Sequence, residues 1–315
     1  MGVVREFLMM LLLLNILLLI FAPLLMAGVI IRVKSLWGGR KGPSLFQPFY
    51  DIFRLLKKGE TISSTSSLVL SVAPAVYLAS VLVAALLVPF AGQKSFISFN
   101  GDFLVFSYLL ALGKFFMIAG AMDTGSSFEG MGSSREATFS TLAEPGFLIL
   151  LSSLSYVAGC KSFTDILTSL HAAGSFNFIL VIPVSLSLFI FILAEGCRIP
   201  VDDPDTHLEL TMIHEVMILD NSGPGLAFMT YGNYLKMFLL ASLIASVLIP
   251  YGIPFVAGEV LLFVGIIIAV SALIGALESV MARLRMTHTP QFLFMFPVTG
   301  MIVFFIVLMG IKKLL

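Results

Sequence analysis

The residues of this chain best suited to chemistry are carboxylates at or near the ends of long apolar runs. Glu144 enters one run in Leu142-Ala143-Glu144-Pro145, and Glu195 closes the next in Leu193-Ala194-Glu195-Gly196. Asp123, Glu129 and Glu136 crowd the polar stretch that precedes Glu144. A charge at the centre of a bilayer costs roughly 2.5–3.5 kcal/mol on insertion scales, so such groups face protein or water and often line ion pathways. A proton relay needs titratable groups of this kind in a partly desolvated region. The plainer alternative is that these acids rest in the headgroup zone. Lys114 and Lys236 also lie within or beside apolar runs, where each either pairs with one of the acids or snorkels to the interface.

Other chemistries lack their residues. Gly113-Lys114-Phe115 has no hydroxyl residue after the lysine, which a phosphate-binding loop uses for its metal. His214-Glu215 is followed by Ile218 where a zinc protease motif would place its second histidine. His207 and His214 are seven residues apart, so a regular helix would bring them to one face with Glu215 at its edge. Histidine on a polar loop helix more often hydrogen-bonds backbone or carboxylate than a metal. Cys160 and Cys197 flank one apolar run and are expected at opposite membrane faces, too far apart for a disulfide, an iron–sulfur cluster or a structural zinc within the chain. No cofactor site is expected here.

The elements that must position the acids are membrane helices. Hydrophobic residues make up 59% of the chain and charged residues 11%, outside the range of soluble domains. The formal net charge is zero, which offers no field for nucleic acid. A span needs roughly 20 mostly apolar residues. The pattern predicts an all-α integral membrane protein of about eight transmembrane helices, at 7–31, 68–90, 102–121, 140–159, 177–195, 234–250, 255–280 and 291–311.

Orientation follows from the basic residues. Arg32, Lys34, Arg40, Lys41, Arg54, Lys57 and Lys58 make the first long loop cytoplasmic, which places both termini on the far side. Phe46, Phe49, Ile52, Phe53 and Leu56 recur at helical spacing against Asp51, Arg54 and Lys57, an amphipathic helix on the membrane surface with Pro48 in its first turn. A second loop helix is expected from Pro204 through Met212 and Val216, ended by Gly223-Pro224. Glu278 with Arg283 and Arg285 reads as an interfacial charge cluster. The non-spanning pieces are too small to fold as cofactor-binding units, so residues 1–315 form a single membrane domain. No internal repeat is visible, which disfavours an autonomous secondary transporter.

Three stretches together resemble a known family. Gly42-Pro43, Gln47, Asp51 and Lys57 to Glu60 are similar to the first inner loop of the H-type membrane subunit of bacterial respiratory complex I and of its homologues in membrane-bound hydrogenases. Gly132-Ser133-Ser134-Arg135-Glu136 through Ala143-Glu144-Pro145 resembles the second inner loop, and Ala194-Glu195, Arg198, Pro200, Asp202, Pro204, Glu209-Leu210 and Ser222-Gly223 resemble the third. Met122-Asp123-Thr124-Gly125-Ser126 with Phe128 looks closest to the membrane subunits of formate hydrogenlyase and related group 4 nickel–iron hydrogenases. Where quinone-reducing members usually carry an acid, this chain has His207, and its following segment is longer.

The resemblance implies an inner-membrane subunit without catalytic residues of its own. Such subunits dock a peripheral arm of iron–sulfur and large catalytic-type subunits, with iron–sulfur clusters and a NiFe centre held by those partners. They link electron transfer to proton or sodium movement through antiporter-like membrane subunits. Carried over by position, Glu144, Glu195, Glu136, Asp123, Asp202, Glu209 and Glu215 would belong to an acidic path. Arg135, Arg198, Arg40, Asp51 and His207 would orient charges or contact the arm. The alternative within the family is the quinone-site subunit of an NADH- or ferredoxin-quinone oxidoreductase.

Overall fold

The computed structural model describes residues 2–172, 174–203, 212–249 and 256–314, with side chains placed for 15–170, 180–203, 212–249 and 258–309. Among the described residues every regular element is a helix: α1 Gly2–Trp37, α2 Gln47–Leu56, α3 Leu68–Ala85, α4 Asp102–Asp123, α5 Ser127–Ala158, α6 Phe163–Ala172, α7 Gly174–Glu195, α8 His214–Met217, α9 Gly223–Leu248, α10 Val256–Val280 and α11 Thr289–Leu314. Seven of them are long and apolar enough to cross a bilayer. The apolar portion Leu180–Glu195 of α7 supplies the shorter eighth. The chain is thus a multi-pass membrane protein.

Helix α9 is the central pole. Of its apolar window 78% is buried, against 28–44% for the other six spans. Around it pack α3, α7 and α1, while α4 pairs with α3, α11 with α5 and α10 with α1. Small residues permit the closest approaches: a Cβ at Gly232 of α9 would meet the Tyr77 ring of α3 at 2.6 Å, and one at Gly113 of α4 would meet Ser80 Oγ at 2.4 Å. Rings from α5, α7 and α11 form a stack, Phe147 on Phe191 at 4.5 Å and Phe191 on Phe296 at 4.7 Å.

Several expected boundaries move, each for a local reason. Helix α3 stops at Ala85 rather than near 90, because the residue before Pro89 is disfavoured in helix and tight turns close the segment. Helix α5 starts at Ser127, well before the expected 140. Gly125, at φ +71°, turns the chain out of α4, and the polar first turns of α5 remain helical because Gly132 packs against Val216 and Ile213. Glu129 and Glu136 are therefore helical and buried, and Glu144 lies well inside the helix rather than at its start. Gly223-Pro224, expected to end a loop helix, instead opens α9, since proline is tolerated in a first turn where its missing N–H has no partner to lose. Helix α2 forms as expected, with Pro48 in its first turn.

Candidate functional site

The arrangement begins with a lysine that apolar surroundings cannot tolerate alone. Lys114 sits within α4, buried, and its ammonium donates to Glu195 Oε1 at 2.6 Å. The same nitrogen lies 3.4 Å from Glu136 Oε1 and 3.7 Å from Glu144 Oε1. Glu195 offers its second oxygen to Lys236 of α9 at 3.3 Å. Four helices, α4, α5, α7 and α9, thus contribute to one ionic network in the bundle interior. Three carboxylates stand against two ammoniums, so the fully ionised network carries one surplus negative charge.

Exposure within the network is graded. Side-chain exposure is 4% for Glu195 and 9% for Glu136 but 35% for Glu144, which opens to the flank of the bundle. Glu144 also shares a small void with Ser107, Phe147 and Phe191, so the aromatic stack lies directly against the charges. Thr138 and Thr141 continue that exposed face of α5, each hydroxyl donating to a carbonyl of the preceding turn.

A second polar cluster joins the ends of α1, α7 and α10. Asp202 accepts from Arg283 at 2.9 Å and from the backbone N–H groups of Asp203, Ile213 and His214 at 2.9, 3.0 and 3.1 Å. Burial pushes its carboxyl up, and Arg283 and those N–H groups pull it back. Glu278 pairs with Arg198 at 3.3 Å and Lys34 at 3.6 Å, not with Arg283 or Arg285 as the interfacial cluster would have it. Lys34 also lies 3.9 Å from Asp203.

Between these groups is a cavity of about 170 Å³, lined among others by Lys34, Arg198, Asp202, His214, Glu215 and Glu278. Burial, with the charges of Lys236, Lys114 and Arg198, lowers His214 to about 3, so its imidazole is neutral at neutral pH. Burial likewise pushes the Cys197 thiol up. Cys197, at φ +50°, lines both this cavity and the small void holding Lys114, Glu136 and Glu195, so it forms part of the wall between the two clusters.

The remaining expected residues are placed apart from the network. Asp123 accepts from Ser67 N and Ser67 Oγ, both at 2.7 Å, and from Leu70 N at 3.2 Å, capping α3. Arg135 donates to the Met212 carbonyl at 2.8 Å, tying α5 to the segment before α8. Arg40 is exposed, and Asp51 accepts from Gln47 and Arg54 within α2. His207 and Glu209, with residues 204–211 of the expected loop helix, lie outside the described residues, and the remainder of that stretch holds only the short α8. Lys114, Lys236, Lys34, Glu278 and Arg283 join the site although none stands among the expected site residues. A lysine inside an apolar run was the signal for the first two.

Residues 8–309 match the protein family described as NADH dehydrogenase. The chain is 31% identical to hydrogenase-4 component C of Escherichia coli over 237 residues, covering 75% of this chain and 74% of that one. It is 31% identical to formate hydrogenlyase subunit 4 of Escherichia coli over 278 residues, 86% of this chain and 89% of that one. It is 27% identical to the H-type membrane subunit of the NADH-quinone oxidoreductase of Bordetella pertussis over 217 residues, 66% and 59% of the two chains. In fold it superposes, with a TM-score of 0.81 and 18% identity, on a chain of the membrane-bound sulfane sulfur reductase, an archaeal respiratory membrane complex, covering 93% of this chain and 98% of that one.

Proposed function

The chain belongs to the NADH dehydrogenase family of membrane subunits, and on that premise we propose that it is the energy-coupling and arm-docking subunit of a complex I-like, hydrogenase-type membrane complex. It links electron transfer in a peripheral arm of iron–sulfur and large catalytic-type subunits to proton or sodium movement in antiporter-like neighbours. The higher identity to the hydrogenase-4 and formate hydrogenlyase subunits favours that branch over the quinone-reducing one. The reading puts the basic loops and α2 on the cytoplasmic side, where the arm docks, and both termini opposite.

One observation carries the coupling role: three carboxylates and two lysines share one buried network. With one surplus negative charge in a low-dielectric interior, the network gains by binding a single proton, which makes it neutral. A redistribution of charge in the arm then biases that proton. Glu144 is the exchange point, because it alone among the three acids is substantially exposed. A carboxylate there cannot face lipid chains without penalty, so its flank of α4 and α5 meets a neighbouring membrane subunit.

Glu144→Gln tests this, since glutamine keeps size and hydrogen bonding while removing the titratable charge. In the intact complex reconstituted into liposomes, the variant is expected to keep electron transfer and subunit composition while ion translocation is lost. Normal translocation by the variant would refute the assignment.

A further inference from the structure

We infer that the apolar groove between α1, α9 and α10 is a built site for one anionic phospholipid, which lays an acyl chain in the groove and sets its phosphate on Arg32 and Lys41. The groove holds about 470 Å³, within the range of small-ligand pockets. Leu18, Leu25 and Val29 of α1 line it together with Val264 of α10. Phe238 and Phe263, both fully buried, form its inner wall, while Leu17, Phe21 and Ile268 are exposed along its open side. The hydrocarbon around the helices therefore reaches it directly.

Its length and polarity suit a single chain. From Leu17 to Val29 it follows roughly 18 Å of the α1 axis at about 1.5 Å per residue. That is close to the depth of one leaflet, half of a hydrocarbon core roughly 30 Å thick. Beyond Val29 the helices close on each other, for a Cβ at Gly275 of α10 would meet the Ile30 carbonyl at 2.8 Å, and Leu45 rests its backbone on Gly28. Ser271 is the one polar residue of the lining, and its hydroxyl donates to the Ile267 carbonyl at 2.6 Å. The lining thus has no spare donor for a polar headgroup or a ring carbonyl. The polar part of an occupant sits at the rim.

The rim is cationic. Arg32 follows Leu25 and Val29 on the same stripe of α1, one turn above the groove. Its Nη1 donates to the carbonyls of Lys41, Gly42 and Pro43, the last two at 3.3 and 3.2 Å. Those bonds fix the guanidinium against the loop that descends to Leu45, and leave Nη2 and Nε without a protein partner among the described residues. A guanidinium held in this way presents a fixed fork to a phosphate. Lys41 is exposed on the same loop, and among the described residues no carboxylate pairs with it or with Arg32. Trp37, exposed at the end of α1, marks the headgroup level beside them. An anionic lipid meets two uncompensated cations at its phosphate and only apolar walls along its chain. The site lies apart from the buried ionic network and does not depend on the proposed coupling function.

Photocrosslinking of the intact complex tests the site, with phosphatidylglycerol carrying a diazirine on one acyl chain as the probe and phosphatidylcholine with the same chain as the control. A basic residue near the membrane surface favours an anionic lipid by about fivefold in affinity. The expected result is label mapped by peptide mass spectrometry to residues 17–29 and 263–271, roughly tenfold stronger from phosphatidylglycerol than from phosphatidylcholine. Lys41→Gln should weaken it about fivefold and Arg32→Gln by more, since the fork is lost with the charge. Ala22→Phe, which fills the groove and leaves the rim intact, should abolish it. Lys41 is exposed, so its variant keeps the test open if either of the others fails to assemble. Equal labelling by the two probes, labelling unchanged in Lys41→Gln, or displacement of the probe by a long-tailed quinone as readily as by unlabelled phosphatidylglycerol would overturn the site.

Discussion

Replacing Glu195 by glutamine probes the ionic network at its centre. The carboxylate stands 2.6 Å from the Lys114 ammonium and 3.3 Å from that of Lys236. At an effective dielectric of about 20, those separations correspond to attractions of about 6 and about 5 kcal/mol. The loss is unequal in its consequences. Lys114 keeps Glu136 and Glu144 within 4 Å, whereas Glu195 supplies the carboxylate of the Lys236 ion pair. Deprotonation of Lys236 and local rearrangement recover much of the energy, so the expected net cost is the about 3–5 kcal/mol typical of an orphaned buried ion. Thermal unfolding of the detergent-solubilised complex should show Glu195→Gln markedly destabilised. Lys236→Met alone should also destabilise, through the uncompensated charge of Glu195. The double variant should be more stable than the sum of the singles, by about 1–3 kcal/mol of coupling. Strict additivity, or a single variant as stable as the native protein, would refute the network as a cooperative ionic unit.

Three further outcomes follow from the geometry. Asp123→Ala removes the carboxylate that accepts from Ser67 and Leu70 at the start of α3, and should lower the midpoint of thermal unfolding while leaving ion translocation unchanged. A Cβ at Gly132 would meet Val216 Cγ1 at 2.3 Å and the Ile213 carbonyl at 2.9 Å, so Gly132→Ala should displace the α8 segment, measurable as faster hydrogen exchange over 212–217 and a loss of about 1–3 kcal/mol. His214 is depressed to about 3 from an ordinary 6.5, so its contribution to stability is complete above pH 6.5 and is lost as pH falls toward 3. Between pH 7 and pH 5 that loss is about 2 kcal/mol, and pH-dependent unfolding of His214→Asn should lack this component.

Ionic groups inside apolar runs were the most legible part of the site in the sequence. Lys114 and Lys236 had to find acids or reach the interface, and both find Glu195, because a buried ammonium without a partner is too costly to persist. Helix count and the amphipathic α2 were legible for a similar reason, since hydropathy and period reflect the solvent directly. Boundaries were less so. The Gly-Ser-rich start of α5 has weak helix propensity and low hydropathy, and only its packing against the segment before α8 makes it helical. Gly223-Pro224 carries both a stop signal and a start signal, and nothing local chooses between them.

The role of an acid was the hardest property to read, because it depends on what faces it across the fold. Asp123 and Glu144 look alike in sequence, each an acid near the end of an apolar run. The structure separates them: Asp123 is saturated by backbone N–H groups and a serine hydroxyl of α3, while Glu144 shares Lys114 with two other carboxylates. Three carboxylates around one ammonium repel one another, a tension that a carboxylate filled by fixed N–H donors does not meet. What faces each acid across the fold, a shared ammonium in one case and fixed N–H donors in the other, is therefore what separates Glu144 from Asp123 in this bundle.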